Sequence, residues 1–389
     1  MISIGLDLGR EAHQFHIIEG KRTLETGVIS NASWAVEPWV LHVEATYGTG
    51  VQLAIESVNG LATPLDQFVE ERGWRVLQIP PSTVKSYREN VMGQQNKTDA
   101  TDAYALAALA NDAGERFQSR KQPRRALRRL TRQRQALIKE QTQTINRLRC
   151  ALAAAWPEAT EALVPDLTAA YILTILERHP DPAEIASLGV QGLRLVLRSG
   201  PKSCGTGVTN ARLQSLVDLA ASNTIAPAEK RVILAEVRFL VRRVRHLVDD
   251  LRELESIMAE AIAGDKEAAR IDQLAGISTV AAATFMGEVQ DIQNFESERK
   301  LASYAGLGLV RRQTGKTLNR NRAQMRSNRQ LKLCIHNMAL GRLFHHAESK
   351  EYYNRKRSEG KNHKQALRAL ARHLLRLLYR TLQPPRVAA

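Results

Sequence analysis

Two acidic residues three positions apart open the segment 97–103, whose sequence is Lys-Thr-Asp-Ala-Thr-Asp-Ala. The apolar run over 104–109 predicts that this segment begins a helix. Positions i and i+3 of a helix share a face, so Asp99 and Asp102 would point together. Two like charges this close destabilise a helix unless a cation lies between them, whereas acids in a first turn also complement the helix dipole. The pair therefore indicates either a metal site or an ordinary helix start.

Two further acids lie at the ends of predicted strands. Asp7 stands where the first alternating run stops, and Glu56 directly follows the third run. Strand ends carry the functional sites of α/β folds, so both acids are candidate site residues. The sequence pattern predicts, in order, strands over 2–8 and 14–18 that form a hairpin, a strand over 51–55, a helix over 63–71, a strand over 73–79 and the helix that carries the acid pair. This order is typical of an α/β domain.

The four acids suggest one metal centre. Their placement, with acids at the ends of a first and a later strand and a pair on a following helix, resembles that by which ribonuclease H-like nucleases hold two Mg²⁺ ions against a phosphodiester. Hard cations take oxygen ligands, and two of them stabilise both the attacking and the leaving oxygen. Glu44 competes for the second position, but Glu56 has a strand directly before it and a turn after it. We therefore expect Mg²⁺ at Asp7, Glu56, Asp99 and Asp102.

A strongly basic segment covers residues 121–149. It contains ten lysine and arginine residues against one acid, Glu140. A solvated helix face rarely has so uneven a charge, so contact with phosphates is expected. The arginines expected to bind nucleic acid here are Arg124, Arg125, Arg128, Arg129 and Arg132.

Apolar residues within the basic segment recur at roughly heptad spacing, interrupted at Arg134 and Gln141. A second long helix is predicted from residue 228 to about Ile262, with a three-four spacing of apolar residues throughout. These seams predict a coiled coil, formed either between the two helices or with another protomer. The intervening residues 158–226 predict a small helical insertion.

Two motifs nearer the C-terminus have the form of phosphate-binding sites. Residues 271–280 resemble a helix-hairpin-helix, although Ser278 replaces the usual second glycine and an ordinary turn between helices fits the same residues. Thr314 precedes a glycine within 311–332, which has eight lysine and arginine residues and no acid. A hydroxyl in such a setting suits a nucleophile, and it equally suits a phosphate-binding loop. The cations expected to contact nucleic acid here are Arg311, Arg312, Lys316, Arg320 and Arg322.

The composition predicts a soluble, cytoplasmic protein with a polyanionic partner. The 389-residue chain has a formal net charge of +16 at pH 7 and a pI near 10.0, so nucleic acid is the expected partner. Membrane binding is disfavoured, because the basic segments lack a matching apolar aromatic face and no apolar run approaches a bilayer span. No signal peptide is evident, and three scattered cysteines suit a reducing compartment.

Taken together, the motifs resemble those of IS110-family transposases. In the family's order, the chain shows Asp7 in a first strand, Glu56, the 97–103 segment, a basic coiled coil, Leu-Ala-Gly-Ile-Ser at 274–278, Leu-Ala-Ser-Tyr-Ala-Gly-Leu at 301–307, Gln-Thr-Gly-Lys at 313–316, and Gly-Lys at 360–361 before a basic helix.

The resemblance implies a RuvC-like acidic-tetrad domain over 1–118, a basic coiled coil with a helical insertion over 119–265, and a mainly helical transposase domain over 266–389. It implies that both end domains form one composite site in a homo-oligomer, a dimer or a tetramer. It also implies that the enzyme cuts and rejoins DNA, guided by a structured non-coding RNA encoded beside the gene.

One residue departs from the family pattern. Thr314 stands where the family has its nucleophilic serine; threonine keeps the hydroxyl, but its extra methyl stiffens χ1 and crowds in-line attack. Ser303 and Ser327 are alternative hydroxyls. Two other functions therefore stay open: a metal-dependent nuclease without a covalent intermediate, and a domesticated nucleic-acid-binding protein without catalysis.

Overall fold

The structure is a computed structural model that describes residues 1–56, 63–113, 117, 123–159, 163, 167–201, 204–224, 228–314, 318–323 and 327–383. The chain divides into two compact units, residues 1–122 and 123–389. In the described part of the chain, no helix is long and apolar enough to cross a bilayer.

The first unit is built on one five-stranded sheet. Its strands are β1 (Ile2–Leu8), β2 (Ala12–Glu19), β3 (Arg22–Ser30), β4 (Gln52–Glu56) and β5 (Arg75–Ile79), in the spatial order β3-β2-β1-β4-β5. The first three strands pair antiparallel, whereas β4 pairs parallel with β1 and with β5. The helices are α1 (Ser33–Tyr47), α2 (Thr63–Glu71), α3 (Pro81–Asn90) and α4 (Asp99–Ala113). The sheet and its helices confirm the α/β class predicted from the sequence for this part of the chain.

The sheet separates two apolar cores because successive side chains of a strand point to opposite faces. Ile4 and Leu6 pack on one face, with Val40 of α1. Ala54 packs on the other face, with Leu106 of α4. Helix α4 therefore covers the face opposite to α1.

The second unit is helical and has two cores joined by two long helices. Helix α5 (Arg125–Ala155) packs against a second long helix, α9 (Lys230–Ile262). The helices of the second unit are α5, α6 (Ala170–Arg178), α7 (Pro182–Arg198), α8 (Asn210–Ala221), α9 (Lys230–Ile262), α10 (Lys266–Asp272), α11 (Thr279–Val289), α12 (Glu298–Tyr304), α13 (Arg329–His345), α14 (Ala347–Ser358) and α15 (His363–Leu382). A hairpin of β6 (Leu309–Thr314) and β7 (Leu318–Ala323) lies between α12 and α13.

The long helices contribute to both cores of the second unit. Leu148 of α5 and Val244 of α9 belong to the core around α6 to α8. Leu127 of α5 and Met258 of α9 belong to the core around α10 to α15. Buried residues of both predicted seams therefore lie in these cores, and the two helices pack within one chain. Coiled-coil geometry and the three-part domain division remain predictions.

Some elements were absent from the sequence predictions. Strand β3 is an edge strand in which Ile29 is the one buried residue, so it lacks a clear apolar alternation. Helix α1 contains Pro38, which removes the usual helix signal. Helix α3 and the β6–β7 hairpin are polar and were also missed.

Candidate active site

Helix α4 lies directly on strand β1 because Gly5 has no side chain. A Cβ at Gly5 would lie 1.9 Å from the Ala103 carbonyl oxygen and 2.4 Å from the Ala107 amide nitrogen. Any other residue would therefore collide with the helix backbone. On the neighbouring strand, Gln52 Nε2 donates to the Ala110 carbonyl at 3.0 Å. These contacts hold α4 on the sheet at both its beginning and its end.

Two threonines fix where α4 begins. The Thr101 amide donates to Thr98 Oγ1 at 3.2 Å, and the Thr98 amide donates to Thr101 Oγ1 at 3.1 Å. This reciprocal pair, three residues apart, satisfies two amides at a helix start in the manner of a capping box. Asp99 and Asp102 consequently both lie in the first turn of α4.

Asp7 and Glu56 lie at the carboxyl ends of neighbouring parallel strands. Asp7 is two residues beyond Gly5, so its side chain points to the face that α4 covers. Glu56 is two residues beyond Ala54, the register partner of Gly5, and it shares that face. The strand ends and the first turn of α4 therefore bring the predicted acids to one edge of the sheet.

The electrostatics of Asp7 and Glu56 reflect this grouping. Burial, reinforced by the charges of Asp99, Asp102 and Glu56, raises the pKa of Asp7 to about 6. Burial, and then the charge of Asp102, also raises the pKa of Glu56. The nearby positive charge of Lys97 acts in the opposite direction and lowers the pKa of both groups. Ionisation of these acids is therefore opposed by their surroundings unless a cation is present.

Two cations contact Asp102, one on each oxygen. Arg88 of α3 donates from Nη1 to Asp102 Oδ1, and both side chains are almost fully buried, at 6% and 3% exposed. Lys97 Nζ lies 3.7 Å from Asp102 Oδ2, and the lysine side chain is 68% exposed. Asp102 is therefore neutralised by a buried guanidinium and an exposed ammonium.

The donor chemistry of this site fits a hard divalent cation. Four carboxylates supply oxygen ligands, and the pKa of Asp7 is raised first by burial and then by repulsion from the other three acids, which a bound cation would offset. Across the residues that the structure describes, no three acid, histidine or cysteine side chains are close enough to share one metal ion. Lys97 Nζ lies near Asp102 Oδ2, beside the carboxylates that would hold such a cation.

The competing acid Glu44 has partners of its own. It lies on α1, where Arg72 Nε donates to Oε1 at 2.9 Å and Trp74 Nε1 donates to the same oxygen at 3.0 Å. Hydrogen bonds from Arg72 lower the pKa of Glu44. These contacts give Glu44 a structural role and favour Glu56 for the site.

The basic segment of α5 is partly engaged inside the protein. Arg124 lies 3.1 Å from Asp265 and 3.0 Å from Glu267 in two ion pairs. Arg125 is half-buried, whereas Arg129 is exposed. Nucleic-acid binding by Arg124, Arg125 and Arg129 remains a prediction. Arg129 is the most accessible of these three side chains.

A buried carboxylate contacts the other two predicted arginines. Glu288 of α11 is 1% exposed and lies 3.5 Å from Arg128 Nε and 3.3 Å from Arg132 Nε. Asn328 Nδ2 donates to Glu288 at 2.7 Å, and the Asn328 side-chain oxygen accepts from the Leu331 amide to cap α13. Glu288 therefore connects α5 to the start of α13, directly after the hairpin segment.

The predicted helix-hairpin-helix is a turn between α10 and α11. Gly276 adopts a positive φ of 80°, and Ser278 caps α11 by accepting from the Ala281 amide at 3.2 Å. Arg342, which is buried, donates to the Ala275 carbonyl and packs against Gly276. The presence of two helices joined by a turn agrees with the sequence, and phosphate binding at this turn remains a prediction.

The candidate nucleophile Thr314 is the last residue of β6, in register with Leu318 of β7. Arg312 and Arg320 are register partners in the same hairpin, and Arg311 pairs with Asn321. Arg322 pairs with Val310, and Lys316 lies outside the described residues.

The two alternative hydroxyls are in other settings. Ser303 lies on α12. Ser327 packs closely on Gly306, since a Cβ added at Gly306 would lie 2.5 Å from Ser327 Oγ. Neither serine stands at the motif position, so Thr314 remains the predicted nucleophile.

Arg88, Gly5 and Glu288 were missed by the sequence predictions. Arg88 and Glu288 gave no local signal, because their partners lie 14 and 40 or more residues away in the chain. Gly5 stands in the first strand beside Asp7, and an interior strand glycine is itself a sign of close backbone approach.

Comparison with known proteins gave two family matches. Residues 4–157 match a transposase model of the DEDD IS110 type. Residues 268–354 match a model described as a transposase of the IS116/IS110/IS902 family.

Whole-length relatives come from bacterial insertion elements. The chain is 27% identical to a 44.8 kDa protein of insertion element IS116 from Streptomyces clavuligerus, over 99% of this chain and 96% of that protein. It is 26% identical to a 43.6 kDa protein of IS110 from Streptomyces coelicolor, over 98% of this chain and 94% of that protein. It is 28% identical to a 42 kDa protein of IS900 from Mycobacterium paratuberculosis, over 97% and 95%.

Solved structures of RuvC from Thermus thermophilus also match. The protein alone is 18% identical with a TM-score of 0.24, covering 30% of this chain and 98% of RuvC. RuvC in complex with a Holliday junction substrate is 17% identical with a TM-score of 0.22, covering 28% of this chain and 90% of that chain.

Proposed function

The chain belongs to the IS110 family of transposases, and from this premise we propose that it cuts and rejoins DNA with an acidic metal centre and a C-terminal hydroxyl nucleophile. As a member of this family the protein is a DNA transposase or recombinase. The proposal concerns how its own residues carry out that reaction.

The grouping of acids at one sheet edge is the observation that carries the proposal. Asp7 and Glu56 end neighbouring strands beneath the first turn of α4, which carries Asp99 and Asp102. The pKa of Asp7 is raised to about 6 by burial and by the other three acids. Repelling acids of this kind are held together at functional sites more often than elsewhere in proteins.

These four acids would hold a divalent cation, for which Mg²⁺ is the expected ion because all the ligands are oxygens. When bound, the metal would supply stabilisation of the charge that develops on the phosphodiester oxygens. The chain would position this centre through Gly5, which lets α4 approach β1, and through the Thr98 cap, which starts α4 at Asp99.

Thr314 would act as the nucleophile. Its hydroxyl oxygen would bond to the phosphorus and lose its proton, while the bond from phosphorus to one deoxyribose oxygen would break and that oxygen would gain a proton. The DNA strand would then be joined to threonine, and the reverse attack by a different strand end would release the protein. Basic residues of the β6–β7 hairpin, such as Arg312 and Arg320, would stabilise the charge on the phosphate.

The nucleic-acid partners are DNA and a structured non-coding guide RNA encoded beside the gene. The net charge of +16 and the basic face of α5 support binding to both. Base specificity would come from pairing with the guide, so the protein itself would contact mainly phosphates. Assembly as a dimer or tetramer would complete the composite site.

A covalent-adduct assay tests this proposal. The protein is expressed with its native flanking DNA, digested with nuclease, and probed for DNA fragments attached to protein. The expected result is an adduct at Thr314 in the wild type, which persists in Thr314→Ser and disappears in Thr314→Ala. Thr317→Ala, which removes a neighbouring hydroxyl, is the matched control and should keep the adduct, while Asp102→Asn should abolish it.

The other outcomes would indicate either a different function or a different nucleophile. Nicking that needs a divalent cation, without an adduct, would leave the acids as the whole active site of a nuclease. An adduct that survives Thr314→Ala but not Ser303→Ala or Ser327→Ala would move the nucleophile. Biological activity unchanged by both Asp102→Asn and Thr314→Ala would indicate a domesticated binding protein.

A further inference from the structure

We propose that Arg88 is a positioning residue that holds Asp102 ready for a divalent cation, and that Lys97 is the resident cation which the metal displaces. This inference rests on the metal centre proposed above. It assigns opposite effects on metal affinity to two positive residues that contact one carboxylate.

The two oxygens of Asp102 differ in the burial of their partners. Arg88 binds Oδ1 from within the protein, with only 6% of its side chain exposed. Lys97 approaches Oδ2 from solvent at 3.7 Å, with 68% of its side chain exposed. When Arg88 holds one carboxylate oxygen from the protein interior, the other oxygen can still act as a metal ligand.

Arg88 is poorly suited to leave its place. Moving its guanidinium would leave Asp102, which is 2% exposed, as a buried charge without its main partner. Within the described parts of the chain, Asp102 is also the one acid within ion-pair distance of Arg88. Its contact therefore resembles the hydrogen bonds by which residues behind a metal ligand fix that ligand's orientation.

Lys97 is well suited to leave. Its ammonium is a strongly hydrated charge on a flexible stem, and an exposed contact at 3.7 Å contributes little binding energy. Its positive charge acts on Asp7 and Glu56 as well as on Asp102, so it lies toward the centre that these acids share. A divalent cation among the same acids would compete with this single charge for the same oxygens.

Binding of Mn²⁺ to the full-length protein, without nucleic acid, tests the inference. Titration calorimetry or electron paramagnetic resonance gives the affinity directly and needs no catalysis. We expect Lys97→Gln to bind Mn²⁺ roughly fivefold more tightly than the wild type, since a weak competing charge is removed. We expect Arg88→Gln to bind roughly tenfold more weakly, as for other residues that orient a metal ligand.

The controls separate positioning from folding. Arg72→Gln removes another arginine–carboxylate pair of the same unit and should leave Mn²⁺ affinity unchanged. Arg88→Lys keeps the charge and should recover part of the affinity that Arg88→Gln loses. If Arg88→Gln does not fold, Lys97→Gln and Arg88→Lys still decide the question, because Lys97 is exposed and a lysine can retain the buried charge.

The failures of the two proposals are distinguishable. If the wild type binds no Mn²⁺, or if Asp102→Asn binds it as tightly as the wild type does, the metal centre itself is wrong and this inference falls with it. If Asp102→Asn loses binding but Lys97→Gln and the Arg88 variants bind like the wild type, the metal centre stands and this inference alone is overturned. An equal loss of affinity in Lys97→Gln and Arg88→Gln would also overturn it.

Discussion

The raised pKa of Asp7 predicts that its charge destabilises the metal-free protein. A carboxyl group with a higher pKa in the folded protein than in the unfolded chain binds more protons when folded, so its ionisation opposes folding. For Asp7 the pKa rises from 3.8 to about 6. The cost is therefore absent below about pH 4, grows as the pH rises, and is complete above about pH 6.

The size of this cost follows from the change in pKa. Each tenfold change in proton affinity corresponds to about 1.4 kcal/mol, so the upper bound is about 3 kcal/mol. Asp7 is only partly buried, and solvent screening reduces the expected value to about 1–2 kcal/mol. Asp7→Asn removes the charge and should stabilise the metal-free protein by this amount at pH 8, and by only a small part of it at pH 4.

Thermal and urea unfolding in EDTA, from pH 4 to pH 8, would measure the difference between wild type and Asp7→Asn. Hydrogen exchange in peptides from β1 and α4 would show whether the gain is local to the site. Glu19→Gln, which neutralises an exposed acid at the end of β2, is the matched control and should show no such pH-dependent gain.

A divalent cation should reverse the order of stability. Saturating Mn²⁺ would stabilise the wild type by mass action and would stabilise Asp7→Asn less, since one ligand is missing. The reasoning is refuted if Asp7→Asn has the same stability as the wild type, or a lower one, at pH 8 in EDTA. It is also refuted if the gain is as large at pH 4.

Two further substitutions test the packing around the sites. Gly5→Ala should destabilise the first unit by about 3 kcal/mol or more, since its Cβ would collide with backbone atoms of α4. The control Gly50→Ala should be tolerated, because its Cβ would meet open space. Thermal unfolding and soluble yield would measure both effects. Glu288→Gln should lower the stability of the second unit by about 2 kcal/mol, because two arginines lose a buried counter-charge, and an unchanged urea midpoint would contradict that role.

The ion pairs of Asp102 also bear on how the four acids are held together in the fold. Lys97 and Arg88 together balance the charge of Asp102 and reduce the repulsion among the acids. Binding of the cation would then be coupled to release of Lys97 toward solvent or toward a phosphate.

Local sequence patterns were enough to predict the α/β unit, the candidate acids and the basic helices. Local signals carried these features: alternation in β1, the acid pair at a fixed helical spacing, and the apolar periodicity of α5 and α9. Such signals lie within a few residues of one another, so no knowledge of distant neighbours is needed. The order of motifs along the chain then sufficed to identify the family resemblance.

Which of these residues contact one another depends on packing between distant elements. Gly5 and Ala103 are far apart in sequence, yet their contact places α4 on β1 and brings Asp102 toward Asp7. The partner of Asp102 is Arg88, on a polar helix that offers no apolar pattern to predict it. Ion pairs and burial depend on packing between elements, and a single sequence records the elements but not their packing.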